Sequence, residues 1–500
     1  MDAKQNIDIS CPAHLRMKEQ WELIDALLGS TLRIRRDAVK WLPKEERESN
    51  IAYRVRLERS ILYGALRDTI RRLRSKPFSK PVKLEGSKPE QIESFIEDSD
   101  GAGTDLTQFA GAMFDDAVAH GLTHCLVDFP RVAEKPDETR DEIATRVRSM
   151  RERELGIRAR FVHVKACDLV YWASERDSSG RLVLSEIRIK ECASEDDGSG
   201  TQVEREHVRV LTPRDWTLYV KRESKWVVSD SGTHTFGRIP LVTVYFQRTG
   251  FMCAEPPLCE LAWLNLAHYQ SDSDQRNILR FARFGILFMK GVTAEEKKTE
   301  ITIGPSKLIR SSSPDADLKV VEHSGKSIEA GRLDLQDLEA RMEMLGLQPL
   351  MSRTGDATAT GQAIDESKTQ CDVQAWVRSL ERGLTQAFGM AAEWMAVALP
   401  ADFKVDIFSE FGLAMRAAED IRNLIAARQG GLISHETFLL EVRRRALISE
   451  TVDPKEEIQR IEDEGPGVDG LVGIAALAAD AAKEPDEDPS DPEEDERSAA

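Results

Sequence analysis

A chain of 500 residues is longer than one hydrophobic core usually serves, and its 41% hydrophobic, 31% charged composition is ordinary for a globular protein, which excludes collagen-like and wholly disordered classes. The net charge of −18 is uneven: from Thr451 to Ala500 there are 17 acidic and 4 basic residues, so −13 sits in that tail and only −5 in the first 450 residues. A body so mildly acidic lacks the basic stripe by which a tight nucleic-acid clamp displaces counterions from phosphates.

The N-terminus, MDAKQNIDIS, has no apolar core of the kind a signal peptide needs. The first ninety or so residues carry helical spacing. Trp21, Leu23, Ile24, Leu27 and Leu28 form one stripe that stops at Gly29-Ser30. A second pattern, about Glu45 to Arg74, places Tyr53, Leu57, Ile61, Leu62, Leu66, Ile70 and Leu73 on one face before Pro77 and Pro81 end it. Its basic end (Arg67, Arg71, Arg72, Arg74, Lys76, Lys80, Lys83) suits a helix C-terminus facing solvent, with phosphate contact as the minority alternative. Residues 104–121 predict an amphipathic helix, His124 to Phe129 a buried strand, and about Asp137 to Gly156 a charged helix.

From Ile157 to Gln247 the apolar period becomes two, in the runs FVHV, LVYW, LVLSEIRI, EHVRVLT, WTLYVKR, KWVV and LVTVYF, which predicts an antiparallel meander. After Pro256-Pro257 the helical period returns. Leu258 to about Phe284 predicts one helix ~40 Å long at the standard rise. A strand-like insert follows (Ile286–Met289, Ile301–Ile303, Leu308-Ile309, Leu318–Val321), and then a helix from Ile328 to Leu345 with Leu335, Leu338, Met342 and Leu345 in heptad-like spacing. The polar stretch Gln348 to Gln362 leads into a long helix, Ala363 to Ala398, with Trp376, Leu380, Leu384, Phe388, Ala391 and Met395 on one face. A short strand, Phe403 to Phe408, precedes two helices split at Gly430-Gly431, with Ser434 as N-cap of the second. Beyond about Gly465 the Pro-, Ala- and acid-rich tail, with DEDPSDPEEDE, is expected to be disordered. Its longest apolar run, Leu471 to Ala479, falls far short of the ~20 residues of a membrane span.

Chemistry-bearing motifs fail on spacing. Gly325-Lys326-Ser327 lacks the glycine five residues earlier that a phosphate-cradling loop requires; Val320 stands there, so a turn capping the next helix is expected and not an ATPase. His124 and Asp128 fall on one face of their strand and Cys125 on the other, so they do not converge as nucleophile and base. His435-Glu436 has Leu439 where a zinc protease has its second histidine, and Asp272 and Asp274 diverge on a helix surface. The seven cysteines are scattered with no CxxC pair, so neither a zinc site nor a disulfide framework is expected, and reduced thiols in a cytosolic setting are. The sequence therefore predicts an α+β, mostly helical protein that is not an enzyme and carries no cofactor. Pattern alone leaves open an ordinary helical bundle.

Several segments in order resemble the portal proteins of tailed bacteriophages, in particular a portal-like family first described as of unknown function. They are Trp41-Leu-Pro43, Tyr53-Arg-Val-Arg56, Ser75-Lys-Pro-Phe78, GLTHCLVDFP from Gly121 to Pro130, Glu255-Pro-Pro-Leu258, Leu264-Asn-Leu-Ala-His-Tyr-Gln270 with Asp274 and Asn277, Ala357-Thr-Ala-Thr360, Gly431-Leu-Ile-Ser-His-Glu-Thr437, Arg443-Arg444-Arg445 and Asp453-Pro-Lys-Glu-Glu457. Together they cover roughly residues 12–464. The family commonly has a glycine after its paired arginines; Arg445-Ala446 stands here instead.

The resemblance implies a portal fold. Residues 1–250 would form the N-terminal part of a wing, 251–284 the first stem helix, 285–327 a small α/β clip and 328–346 the second stem helix. Residues 347–362 would be a tunnel loop, 363–399 a long wing helix, 400–464 a helical crown and 465–500 the acidic tail. It further implies a self-assembled dodecameric ring at the capsid vertex of a virion, assembled in the host cytoplasm, for genome packaging and ejection; the alternatives are another non-enzymatic phage head structural or scaffold-like protein and, less favourably, a packaging enzyme. Its partners would be double-stranded DNA passing without tight binding, the terminase large subunit, a head–tail adaptor, and major capsid and scaffold proteins, with no membrane. Channel-lining candidates are Ser352, Arg353, Thr354, Asp356, Thr358 and Thr360, with Arg353 the only cation among them.

Overall fold

The computed structural model describes residues 7–86, 89–128, 158–196, 200–234, 236–284, 286–290, 317–321, 325–350, 371–409, 417–444, 448 and 453–464. They form a mixed helical and antiparallel-sheet protein in two compact units, residues 1–408 and 409–500. The channel candidates at 352–360, the charged segment 137–156, most of the 285–327 insert and the acidic tail lie outside the described residues.

The first unit opens with helices α1 (Pro12–Leu28), α2 (Ser30–Arg36), α3 (Ala38–Trp41), α4 (Asn50–Arg59), α5 (Ala65–Ser75), α6 (Glu90–Glu93) and α7 (Leu106–His120). Local chemistry fixes their ends. Pro12 occupies the first turn of α1, where its missing N–H costs nothing. Ser49 Oγ and Asp105 Oδ1 accept the Ala52 and Gln108 amides at 3.1 and 2.8 Å as N-caps. The pattern over 45–74 does not make one helix: it breaks between Arg59 and Ala65, and Ile61, apolar in the stripe, stands half exposed. Tyr63 and Leu66, on either side of the restart, bond to Asn265, about 200 residues later in the chain.

The strands also depart from a single meander. Strand β1 (Lys83–Glu85) pairs with the late strand β14 (Lys404–Asp406), which joins the segment after the long helix to this first unit. Strand β2 (Leu122–Asp128) is central in a three-stranded sheet of order β3-β2-β9, between β3 (Arg160–Val164) and β9 (Leu241–Tyr245). The true meander is β4 (Leu169–Arg176), β5 (Leu182–Asp196), β6 (Gln202–Leu211), β7 (Asp215–Arg222) and β8 (Lys225–Thr233), in sequence order. Alternation reveals strands but not their partners, so the first and last runs of the predicted meander went to a second sheet. Strands β10 (Arg248–Gly250) and β11 (Cys253–Ala254) form a small hairpin.

Three long helices follow: α8 (Cys259–Phe284), α9 (Gly325–Leu347) and α10 (Asp372–Met395), with strands β12 (Ile286–Lys290) and β13 (Asp317–Val321) between the first two. Gly325-Lys326-Ser327 forms the first turn of α9 rather than a turn before it. Helix α10 buries Trp376, Leu380, Leu384, Phe388, Ala391 and Met395, the face its periodicity predicts, against β2 and β9. Gly383 permits the approach, since a β-carbon there would meet Val244 Cγ2 at 2.4 Å. Phe95, Phe161 and Phe388 form the aromatic centre, with centroids 4.7–5.3 Å apart, and Phe109 and Phe403 complete it. The second unit contains α11 (Ala417–Gln429), α12 (His435–Arg444) and α13 (Pro454–Glu464). Gly431 at φ +71° separates the first two, and Ser434 Oγ caps α12 by accepting the Thr437 amide.

Candidate functional site

Helices α8 and α9 form an antiparallel pair. His268 Nε2 lies 3.2 Å from Glu339 Oε1 near one end, and Gln275 Nε2 donates to the Ile328 carbonyl at 2.8 Å toward the other. Beyond that point the chain enters β12, which pairs antiparallel with β13, Ile286 opposite Val321 and Lys290 opposite Asp317. The structure therefore places a two-stranded insert at one end of a helical hairpin.

The two helices are seated differently. The first half of α8 is a core element: Leu261, Ala262, Leu266 and Tyr269 are buried. Several of its polar residues, the most distinctive part of the sequence motif, bond to the N-terminal helices and the segments between them. Asn265, fully buried, accepts the Leu66 amide on Oδ1 at 3.1 Å and donates from Nδ2 to the Tyr63 carbonyl at 2.8 Å. Gln270 Nε2 donates to the Trp41 carbonyl, and Ser273 Oγ bonds Ser60 Oγ at 2.8 Å. Asp274 lies 3.7 Å from Arg56, whose guanidinium forks onto Glu48 and donates to the Pro43 carbonyl. The hydrogen bond from Arg56 holds the Glu48 carboxyl below its ordinary pKa. Asp274 and Asp272 diverge as expected, the latter pairing with Arg276.

Helix α9, by contrast, buries only Met342 and Gly346 along 23 residues, and leaves Leu333, Met344 and Leu347 exposed. Its far end closes on α5, where a β-carbon at Gly346 would stand 2.8 Å from Thr69 Oγ1. It carries three cations and five anions. Part of the basic run is engaged: Arg67 donates to the Leu28 carbonyl, Arg71 pairs with Asp68, Arg74 with Asp115, and Lys80, beyond the end of α5, lies over the Phe408 ring.

A second group was not legible in the sequence. Asp116, on α7 and 7% exposed, lies 2.7 Å from His120 Nδ1, accepts the Ala166 amide at 3.0 Å and stands 3.5 Å from His163 Nε2. Burial alone would neutralise it, but the hydrogen bonds of His120 and His163 outweigh that and hold its carboxyl well below the usual range. Burial likewise opposes charge on His120, and the hydrogen bonds of Asp116, Asp25 and Cys167 prevail, lifting its pKa well above the ordinary imidazole value. The signal available was an aspartate and a histidine four apart on an otherwise apolar helix. His124 and Cys125, set aside on spacing, are buried in β2; His124 Nδ1 meets Thr243 Oγ1 at 2.9 Å, and Asp128 pairs with Arg160 and Arg209.

The model of a family described as a domain of unknown function (DUF4055) matches residues 257–395, the span from the start of α8 to the end of α10. No curated protein matches. Among solved structures, a chain of the neck of an empty GTA particle computed with C6 symmetry is similar at 12% identity and TM-score 0.40, over 76% of this chain and 90% of that one. A chain of the neck of a native GTA particle computed with C12 symmetry is similar at 11% identity and TM-score 0.39, over 78% and 92%. A chain from the virion of a native gene transfer agent particle follows at 13% identity and TM-score 0.36, over 75% and 89%. TM-scores of this size do not define a common fold. Among the described residues no helix is long and apolar enough to cross a membrane.

Proposed function

We propose that the chain is a structural component of a phage particle, and specifically the subunit of a portal ring through which duplex DNA enters and leaves the capsid. The observation that carries this reading is the α8–α9 hairpin. One helix is rooted in the body by Asn265, Gln270 and Ser273, while its partner is left largely uncovered with Leu333, Met344 and Leu347 outward. A 23-residue helix, ~35 Å long, that buries two residues in its own subunit is incomplete as a monomer element. Copies arranged head-to-tail around an axis would cover it, because a closed cyclic ring uses two different faces of each subunit.

In this reading α8 and α9 are stem helices, residues 285–327 the clip, 347–362 the tunnel loop, 400–464 the crown, and 1–250 with 363–399 the wing. The protein works without catalysis. The net negative charge of α9 fits a channel that must not grip DNA, since each phosphate neutralised adds affinity through released counterions and would slow translocation. Ser352, Arg353, Thr354, Asp356, Thr358 and Thr360 are proposed as the low-friction lining, with Arg353 making passing phosphate contacts. Terminase, a head–tail adaptor, and capsid and scaffold proteins are the proposed partners. The native mass of the purified full chain tests the reading: it expects a closed oligomer at a multiple of 56.1 kDa, twelvefold in the particle, and a persistent single-copy mass would overturn it.

A further inference from the structure

We propose that Asp25, His120 and Cys167 form a binding site for a thiophilic divalent transition metal, Zn²⁺ in chemical class, that staples α1 to the end of α7 and to the turn between β3 and β4. The three residues are 95 and 47 positions apart in the chain, so no spacing motif announces them. In the fold, one donor atom from each lies within 4.8 Å of the others. His120 Nε2 is 3.1 Å from Asp25 Oδ1, and Cys167 Sγ is 3.5 Å from Asp25 Oδ2. A tetrahedral ion at ~2.0–2.3 Å from nitrogen, oxygen and sulfur holds those atoms about 3.3–3.6 Å apart; the two contacts use different oxygens of Asp25, so binding would draw the imidazole and the thiolate in from within 4.8 Å onto one of them.

Two further features point to a ligand rather than a chance cluster. The other ring nitrogen of His120 is already held by the buried Asp116 at 2.7 Å, the carboxylate–histidine support that fixes tautomer and ring direction behind a metal-bound imidazole. Asp116 is in turn fixed by the Ala166 amide, one residue before Cys167, and Trp21 stands edge-on to the His120 ring at 5.6 Å while donating to its carbonyl. Asp25 is 45% exposed on its side chain, which leaves an entry path and room for water as a fourth ligand. The donor set selects the metal: a thiolate and an imidazole favour zinc-like ions, and the single carboxylate is too little for calcium or magnesium.

The protons balance. An imidazolium at His120 gives up its Nε2 proton and Cys167 its thiol proton, so binding one divalent ion releases two protons and leaves the net charge of the cluster unchanged.

The test uses the full chain, stripped with a chelator and titrated with Co²⁺ and then Zn²⁺. The expected result is one Co²⁺ per chain, with a near-ultraviolet thiolate-to-cobalt band that Zn²⁺ abolishes. Cys167→Ser should remove the band and weaken Zn²⁺ binding about 100-fold or more, and Asp25→Asn should weaken it while sparing the thiolate band at saturation. Asp116→Asn, a positioning change, should cost about 10- to 100-fold. Cys192→Ser, an exposed cysteine on β5, should change nothing. Absence of the band in the wild-type chain, or a band that survives Cys167→Ser, would overturn the assignment. Ring formation can succeed or fail independently of either outcome.

Discussion

Gly121 lies beneath the carbonyl of Glu255: a β-carbon on it would stand 2.1 Å from that oxygen, and its φ of +86° is the left-handed conformation glycine adopts freely. Two sequence motifs 134 residues apart thus meet at one point. The first motif begins at the glycine that ends α7, and the second begins at the glutamate that precedes α8. Gly121 also accepts the Phe246 amide at 2.8 Å, so the end of α7, the exit from β9 and the entry to α8 share one residue.

Gly121→Ala should therefore destabilise the first unit by about 3 kcal/mol or more, combining left-handed strain with overlap against backbone that has no free rotamer. Urea unfolding followed by tryptophan fluorescence would measure it. A shift in midpoint no larger than that of Gly180→Ala, a turn glycine with open space around its Cα, would contradict this reading of the contact.

Asn265 acts as a cap in trans. Helix α5 starts after Gly64 with no side-chain cap of its own, and Asn265 supplies the missing acceptor to Leu66 while donating to Tyr63. Asn265→Leu leaves a buried amide and a carbonyl unsatisfied, a loss of about 2–4 kcal/mol. The same variant should increase amide exchange at Leu66, and unchanged exchange there would show that the cap is not what holds the helix start.

That contact also explains what the sequence concealed. The apolar stripe from Tyr53 to Leu73 is continuous enough to predict one helix, but the Asn265 hydrogen bonds hold 60–64 open as a connection. Periodicity carries no trace of a side chain 200 residues downstream. Helices α7, α8 and α10 were legible because their apolar faces are long and regular, and the strands of 160–245 because they alternate. Which strand joins β2 was not legible, since pairing is decided by packing between sheets. The Asp116–His120–His163 cluster escaped because polar residues beside an apolar stripe usually mark its solvated edge, and only the later strands close over them. The proposed lining at 352–360 lies outside the described residues, so its assignment still rests on the sequence.

His124 gives a pH dependence of definite sign. Burial in β2, aided by the neighbouring His163, lowers its pKa from 6.5 to about 3 against the opposing pull of Asp116. The unfolded chain then binds a proton between those values that the folded chain refuses, so this contribution is complete above pH 6.5 and declines as pH falls toward 3. One unit below 6.5 the loss is about 1.4 kcal/mol. Comparing urea midpoints near neutral pH and one to two units lower, the wild type should lose more than His124→Gln; equal slopes would mean that His124 takes up its proton in the folded state.

Leu333→Glu combined with Met344→Glu should leave folding intact, because both side chains are exposed in the single subunit, at 49% and 64%. If those residues meet a neighbouring copy, two unpaired carboxylates at the interface should shift the population from closed oligomer to monomer. Sedimentation velocity reports the mass and circular dichroism the fold. An oligomer unaffected by the pair would place the interface elsewhere on the molecule.

The central claim is that copies of this chain close around a hole lined by the α8–α9 hairpin. Class averages of the purified full chain in negative stain test it most directly. The account predicts annular particles with a central opening wide enough for duplex DNA, in one dominant rotational symmetry. Isolated compact particles of single-chain size, at every concentration and salt tried, would contradict it.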